Sequence, residues 1–447
     1  MSLWSLLVLL LLHDAVIVVA ASDISHPNAT LSKIAFGSCH NARKIHGHVH
    51  DNNIWKAISA ESPDLFVWTG DAVYPAQRKI ANTTYLKQLF HDMKTNKTIG
   101  YRQFASHVKN GIYGVYDDHD YGGNDAGVEM PDKRDRADLF MDFLQLDQST
   151  TTSQTTLQER DGLYYSVTFG TPPEQVKLIL LDTRWHRTKH CFPSLATKVP
   201  LGAGLSAATR WALAGFNVNQ WWPFWDCWKA PTVLGEQQWN WLEQELTTNS
   251  QANVHIVVSS IQVLTTDPTV ESWGHFPLER QRLITLLGKG ISGLVLLSGD
   301  VHHAEIFNPL ESQSTTTVSK SKSSFLEVTS SGLTHYCSQP FYGFMCQPVL
   351  EKYNQNRFQS SNNFYIGRNY GRIDIDWKQQ TIQVVVQDEN GQTVLRTGHR
   401  PFQQDTLTPE EVAQVPFCVD GHLTRPVLSV LTALVVIVVV GVRSFGR

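Results

Sequence analysis

The chain has 447 residues, 42% of them hydrophobic and 17% charged, with a formal net charge of -4. That balance belongs to a folded protein with a sizeable core and excludes a disordered polyelectrolyte. With a pI near 6.5 and no run of Lys and Arg to neutralise a phosphate backbone, nucleic-acid binding is not expected, and any phosphate taken up is a small one gripped locally.

Residues 3–12 are almost wholly apolar and 16–21 continue to a small-residue end, which predicts a signal peptide over 1–21 cut near Ala20 or Ala21. No Lys or Arg precedes the run, and His13 and Asp14 interrupt it. Three glycosylation sequons at Asn28, Asn82 and Asn96 and six cysteines (Cys39, Cys191, Cys227, Cys337, Cys346, Cys418) fit a lumenal or extracellular compartment. Cys191 with Cys227 and Cys337 with Cys346 are the expected disulfides. At the other end, 427–442 form an uncharged run rich in Val and Leu, followed by Arg443 and Arg447. The run predicts a transmembrane helix slightly short of a roughly 30 Å hydrocarbon core, with 443–447 as a cytoplasmic tail, and hence a single-pass type I protein. A glycolipid-anchor signal at Asp420 and Gly421 is the alternative, although its spacer is shorter than the usual roughly 8 to 12 residues.

Between these ends, 22–420 read as one catalytic unit. Short apolar runs at 33–36, 65–69, 112–116, 177–181, 255–258 and 294–298 predict strands, and four of the six end in an acid, as in α/β enzymes that deliver side chains to one edge of a sheet. Apolar residues at helical spacing predict helices over 135–146, 236–247 and 278–287. Strands at 325–329, 371–376 and 381–387 read as antiparallel, the last two as a hairpin across 377–380. Ser/Thr-rich pieces at 148–156 and 311–324 read as surface loops.

Four strand ends carry the chemistry. Gly70-Asp71-Ala72-Val73-Tyr74 sets a carboxylate, whose two oxygens can bridge two cations, one turn before a phenol, a hard ligand suited to ferric iron; a capping turn is the bland reading. Asp117-Asp118-His119-Asp120 leads into Gly122-Gly123-Asn124-Asp125, and carboxylates this close repel unless a cation shares their space or water solvates the turn. In Asp182-Thr183-Arg184 the guanidinium can clamp a phosphoryl group or simply pair with an internal acid. Gly299-Asp300-Val301-His302-His303 offers a hard oxygen and an imidazole on one turn.

Together with Phe36-Gly37-Ser38-Cys39, these segments keep the chain order of the metallophosphoesterase motifs, and over 34–303 the sequence resembles the alkaline phosphatase D family. Leu234-Gly235-Glu236-Gln237-Gln238-Trp239-Asn240-Trp241-Leu242 and 273–283 are similar to stretches of the same family. The resemblance implies a four-layer α/β/β/α sandwich with mixed sheets and hydrolysis of phosphate monoesters or diesters by a metal-activated hydroxide. It implies Cys39, Asp71, Tyr74 and His302 as ligands of ferric iron, and Asp71, Asp118 and Asp300 as ligands of a second, hard cation, Ca²⁺. Asp117 or Asp120 can exchange roles with Asp118. His119 is expected at the leaving oxygen and Arg184 on the phosphoryl oxygens, with Asn124, Gln262 and His303 toward the substrate. With Cys39 as a ligand, one of the other five cysteines is left over. The accessory N-terminal β-domain of many bacterial relatives is not expected here.

Gly47-His48-Val49-His50 spells a metal motif in the wrong place, and the segment holding Trp211, Trp221, Trp222, Trp225 and Trp228 reads as a packed insertion rather than an aromatic wall. Two other functions compete. A zinc- or manganese-type phosphodiesterase of the wider superfamily is separated by colour, since ferric phenolate or thiolate absorbs visible light. A catalytically silent membrane ectodomain is separated by metal content.

Overall fold

The computed structural model describes residues 24–42, 53–76, 80–146, 154–189, 202–213, 231–247, 251–310, 322–339, 343–353, 355–360 and 362–416. The expected signal peptide, the 427–442 run, Cys191, Cys227, Cys418, His46, His48, His50 and Trp221 to Trp228 lie outside them. No helix among the described residues is long and apolar enough to cross a membrane.

Among the described residues, fifteen strands run in chain order as β1 (Ile24–His26), β2 (Lys33–Gly37), β3 (Leu65–Thr69), β4 (Ile112–Val115), β5 (Tyr165–Phe169), β6 (Val176–Leu180), β7 (Val254–Val258), β8 (Leu294–Ser298), β9 (Ala304–Phe307), β10 (Leu326–Ser330), β11 (Phe364–Tyr365), β12 (Asn369–Asp376), β13 (Thr381–Asp388), β14 (Thr393–Arg396) and β15 (Arg400–Pro401). They form two mixed sheets, one ordered β1-β5-β6-β7-β8-β10-β9-β11 and the other β14-β13-β12-β2-β3-β4, with β15 beside β13. The β12–β13 hairpin pairs antiparallel as expected. β10 differs from its sequence reading, being antiparallel to β9 but parallel to β8. The piece at 148–156 is not wholly loop either, because a helix begins at Gln154 (Gln154–Glu159).

Period-two alternation explains the layering. On β6, Val176, Leu178 and Leu180 join a core shared with Phe36, Val67 and Ile373 of the other sheet, while Ile179 turns to the opposite face. There it meets Trp239 and Leu242 of the helix Glu236–Thr247 and Leu283 and Ile284 of the helix Pro277–Leu287. On the far side, Phe143 of the helix Lys133–Leu144 lies against Trp68 of β3 and stacks on Phe90 of the helix Thr83–Thr95. The result is helix, sheet, sheet, helix, the α/β/β/α sandwich read from the sequence. With apolar side chains covering most of both faces, the acids that follow β3, β4 and β8 gather at the strand ends.

Candidate metal centre and active site

β2, β3 and β4 are parallel neighbours, with Phe36 opposite Val67 and Trp68 opposite Gly114, so the residues that follow them emerge on one edge. β8 of the other sheet delivers Asp300 to the same place. Close approach requires glycine: a Cβ on Gly70 would lie 2.5 Å from that of Asp117, and one on Gly299 would lie 2.5 Å from the Thr69 carbonyl. Gly70 also has φ +105°, a region that other residues rarely adopt. Cys39, Asp71, Asp300 and His302 themselves take positive φ, at 62°, 55°, 72° and 66°. Left-handed backbone at four non-glycine residues costs free energy and marks positions where the surroundings dictate the side chain's direction.

One half of the cluster is chemically mixed. The Cys39 thiol is buried and outside any disulfide, with Sγ 3.6 Å from Asp71 Oδ2 and 3.0 Å from Ser331 Oγ. Tyr74 donates its hydroxyl to Asp71 Oδ2 at 2.5 Å, and the Tyr74 hydroxyl oxygen lies 3.2 Å from His302 Nε2. Ligand atoms of Cys39, Asp71 and His302 all fall within 4.8 Å of one another. Burial, then the Asp71 charge, pushes both the thiol and the phenol well above their ordinary pKa. A cation reverses that preference, because it stabilises thiolate and phenolate directly.

The other half is acidic. Oxygens of Asp71, Asp117, Asp118 and Asp300 also lie within 4.8 Å of one another. Burial and mutual repulsion hold Asp71 and Asp300 well above the carboxylate range. Burial likewise raises Asp117 to about 7 and Asp120 to about 8. Asp118 ends below the usual range, since His119, Arg184 and the Asp125 amide outweigh its burial. Asp117 Oδ2 and Asp118 Oδ1 are buried without a hydrogen-bond partner, as expected of oxygens waiting for a cation. The donors present therefore fit a pair of metals, with sulfur, phenol and imidazole on one side, carboxylates on the other, and Asp71 between them.

The family model of the PhoD-like phosphatases matches residues 34–386. The chain belongs to that family. This phosphatase is accordingly a hydrolase acting on phosphate esters, and the acidic and histidine clusters suit the metal dependence of its relatives. Among solved structures it is similar to one titled "Structure of PhoD", at 17% identity and TM-score 0.51, covering 88% of this chain and 76% of that one. It also matches "GAP50 the anchor in the inner membrane complex of Plasmodium", at 13% identity and TM-score 0.39, covering 88% of this chain and 97% of the other. No curated protein matches.

The phosphatase brings together Cys39, Asp71, Tyr74, Asp118, Asp300 and His302, with His119 beside them: its ring centroid is 4.2 Å from that of Tyr74 and its amide donates to Asp71 Oδ1 at 3.3 Å. Among the three acids whose roles were open, Asp118 belongs to three of the ligand groups. Asp117 is shared with Arg184, and Asp120 caps the amides of Val73 and Asp117. Asn124 lies half-buried on the turn that follows. Of the sequons, Asn28 and Asn82 are exposed and Asn96 is half-buried.

Two expected roles do not survive the geometry. Arg184 is wholly buried and bound to Asp117 and to both oxygens of Glu271, so it is the internal ion pair and not a phosphoryl clamp. His303 points inward, with Nδ1 on the Val301 carbonyl and Nε2 on Glu305, which Arg357 also holds; it has no nitrogen left for substrate. Gln262 donates to Thr329 inside the sheet, and its Oε1, like Asp117 Oδ2 and Asp118 Oδ1, is buried without a hydrogen-bond partner. Conversely, sequence reasoning missed Ser331, which also accepts the His302 amide at 2.9 Å, and His335, whose ring stacks 3.8 Å from that of His302. Ser331 is the first residue after β10 in the run Thr329-Ser330-Ser331-Gly332, a small-residue strand end that was a usable signal. His335 left none.

Proposed function

We propose that the phosphatase hydrolyses phosphate monoesters and diesters with two cations, ferric iron held by Cys39, Asp71, Tyr74 and His302, and Ca²⁺ held by Asp71, Asp118 and Asp300. The convergence of a free thiol and a phenol on one oxygen of Asp71, with the His302 imidazole on the oxygen of that phenol, carries this reading. When bound, such a pair supplies Lewis acidity toward phosphoryl oxygens and activates water. Asp71 would be a ligand to both cations, and Ser331 fixes the thiol and the amide of His302 together. His119, half-buried at the edge of the cluster, would hold a proton at the leaving oxygen. The Cys337–Cys346 disulfide supports maturation in an oxidising compartment. Entry into the secretory pathway through 1–21, and anchoring through 427–442 as a type I protein or by glycolipid, complete the proposal.

The test is elemental analysis of the purified protein beside its visible spectrum and turnover of a chromogenic monoester and diester. Stoichiometric iron, a visible charge-transfer band and turnover are expected. Colourless, active protein containing zinc or manganese would replace the iron assignment, and neither bound metal nor turnover would leave a silent ectodomain.

A further inference from the structure

We propose that Arg210, on the helix Gly202–Leu213, is the side chain that receives the substrate's phosphoryl oxygens, the role that the buried Arg184 cannot fill. The inference rests on the phosphoesterase reading above. Among the described residues, three guanidinium groups surround the acid cluster. Arg184 is wholly enclosed by Asp117 and Glu271. Arg187 is equally buried, with Nε 3.1 Å from Glu271 and its remaining nitrogens on the carbonyls of Thr188 and Asp125. Arg210 alone of the three is partly exposed, its side chain keeping 17% of its accessible surface.

Its placement is specific. Nη2 donates to Asp125 Oδ2, and Nη1 reaches the Thr269 carbonyl at 3.4 Å. The Asp125 amide in turn donates to Asp118 Oδ2 at 2.7 Å, so the guanidinium stands one residue away from a candidate cation ligand. Oxygens of Asp118, Asp125 and Glu271 lie within 4.8 Å of one another, and the charges of Asp300 and Asp118 also act on Arg210. Two of its five N–H donors are engaged, and a planar fork with donors to spare matches the edge of a phosphoryl group. Asp125 aims the fork; the phosphate ester brings the negative charge that Arg210 and the cations then share.

The experiment measures orthophosphate binding to the metal-loaded protein by calorimetry, together with metal content and the KM of an aryl monoester, for wild type, Arg210→Gln and Arg210→Lys. In Arg210→Gln, the orthophosphate Kd and the KM are expected to rise about ten- to a hundredfold with metal content unchanged. Arg210→Lys, which keeps the charge and loses the fork, should fall between. Values within twofold of wild type for Arg210→Gln at full metal content overturn the proposal. So does tighter cation binding with unchanged phosphate affinity, which would make Arg210 a mere counter-ion. If the Gln variant does not fold, the Lys variant decides: an unchanged phosphate Kd overturns the proposal and a weakened one supports it. Wild-type protein that binds orthophosphate through Arg210 yet turns over no ester would sink the phosphoesterase reading and leave the anion site standing, whereas turnover without orthophosphate binding would do the reverse.

Discussion

Two buried polar clusters grow from the chain that leaves β8, and they handle charge in opposite ways. Around Glu305, burial opposes ionisation, but Arg357 and His303 outweigh it and hold the carboxyl below its usual range. Around Asp300, burial and the neighbouring acids win, and the carboxyl is pushed far up. Both clusters contain acid, histidine and arginine, so residue type does not separate them. Charge balance does: the Glu305 cluster is complete as folded, whereas the Asp71 and Asp300 cluster holds more acid than Arg184 can match. An unmatched cluster stores a demand for cations, and a matched one is scaffold.

The sharpest way to break this contrast is at Asp71, the residue common to both halves of the unmatched cluster. Asp71→Asn is expected to lower turnover about a thousandfold or more and to lose both metals together, measured by steady-state kinetics and elemental analysis of the same sample. Near-normal turnover would place the reacting centre elsewhere. Cys39→Ser cuts less deeply, because it spares the acids. It should abolish the visible band, weaken the iron about ten- to a hundredfold or more, and leave calcium bound. Simultaneous loss of both metals from this variant would mean that the two halves are not separable.

How far the contrast was legible in the sequence depends on how far apart the deciding partners lie. The strand ends were readable, since an apolar run closing on Gly-Asp is a local pattern, and β3 and β8 fall on the residues expected. The mixed pairing of β10 was not, because its two neighbours are fixed by sheet order and not by its own composition. Arg184 shows the limit most plainly. Its partners Asp117 and Glu271 are 67 and 87 residues away, and nothing near Asp182-Thr183-Arg184 reveals whether its guanidinium will meet a ligand or an acid. The same reason hid Arg210, which stands in a helix with no motif of its own.

A gentler test exploits protons. In the metal-free protein, Asp117 and Asp120 titrate near 7 and 8 instead of 3.8, so the folded state keeps protons that the unfolded chain has already released. Stability must then fall as pH rises through that interval. His40 and His255, buried neutral and lowered to about 4, act oppositely and only below their ordinary value of 6.5, where the unfolded chain gains protons first. Between about pH 6.5 and 8 the acids therefore govern. The denaturation midpoint of metal-free protein is expected to drop across this window, and saturating Ca²⁺ should flatten the slope. A midpoint that rises with pH in the absence of metal would show that the acids are matched after all.

The smallest effect belongs to the matched cluster. His303→Gln removes a ring whose two nitrogens serve the Val301 carbonyl and Glu305, while Arg357 still holds Glu305 through Nε at 2.8 Å. The carboxylate keeps a charged partner, so the cost is that of a buried hydrogen bond, about 1 to 3 kcal/mol of stability. Turnover and metal content should stay within about twofold of wild type, because His302, the preceding residue, keeps its backbone bond to Ser331 and its approach to Tyr74. Kinetics on the monoester and a denaturation midpoint read both quantities from one preparation. A hundredfold loss of turnover at full metal content and unchanged stability would return His303 to the substrate side and erase the distinction between the two clusters. A stability loss with turnover intact would fix the boundary of the centre between two consecutive histidines, on charge balance alone.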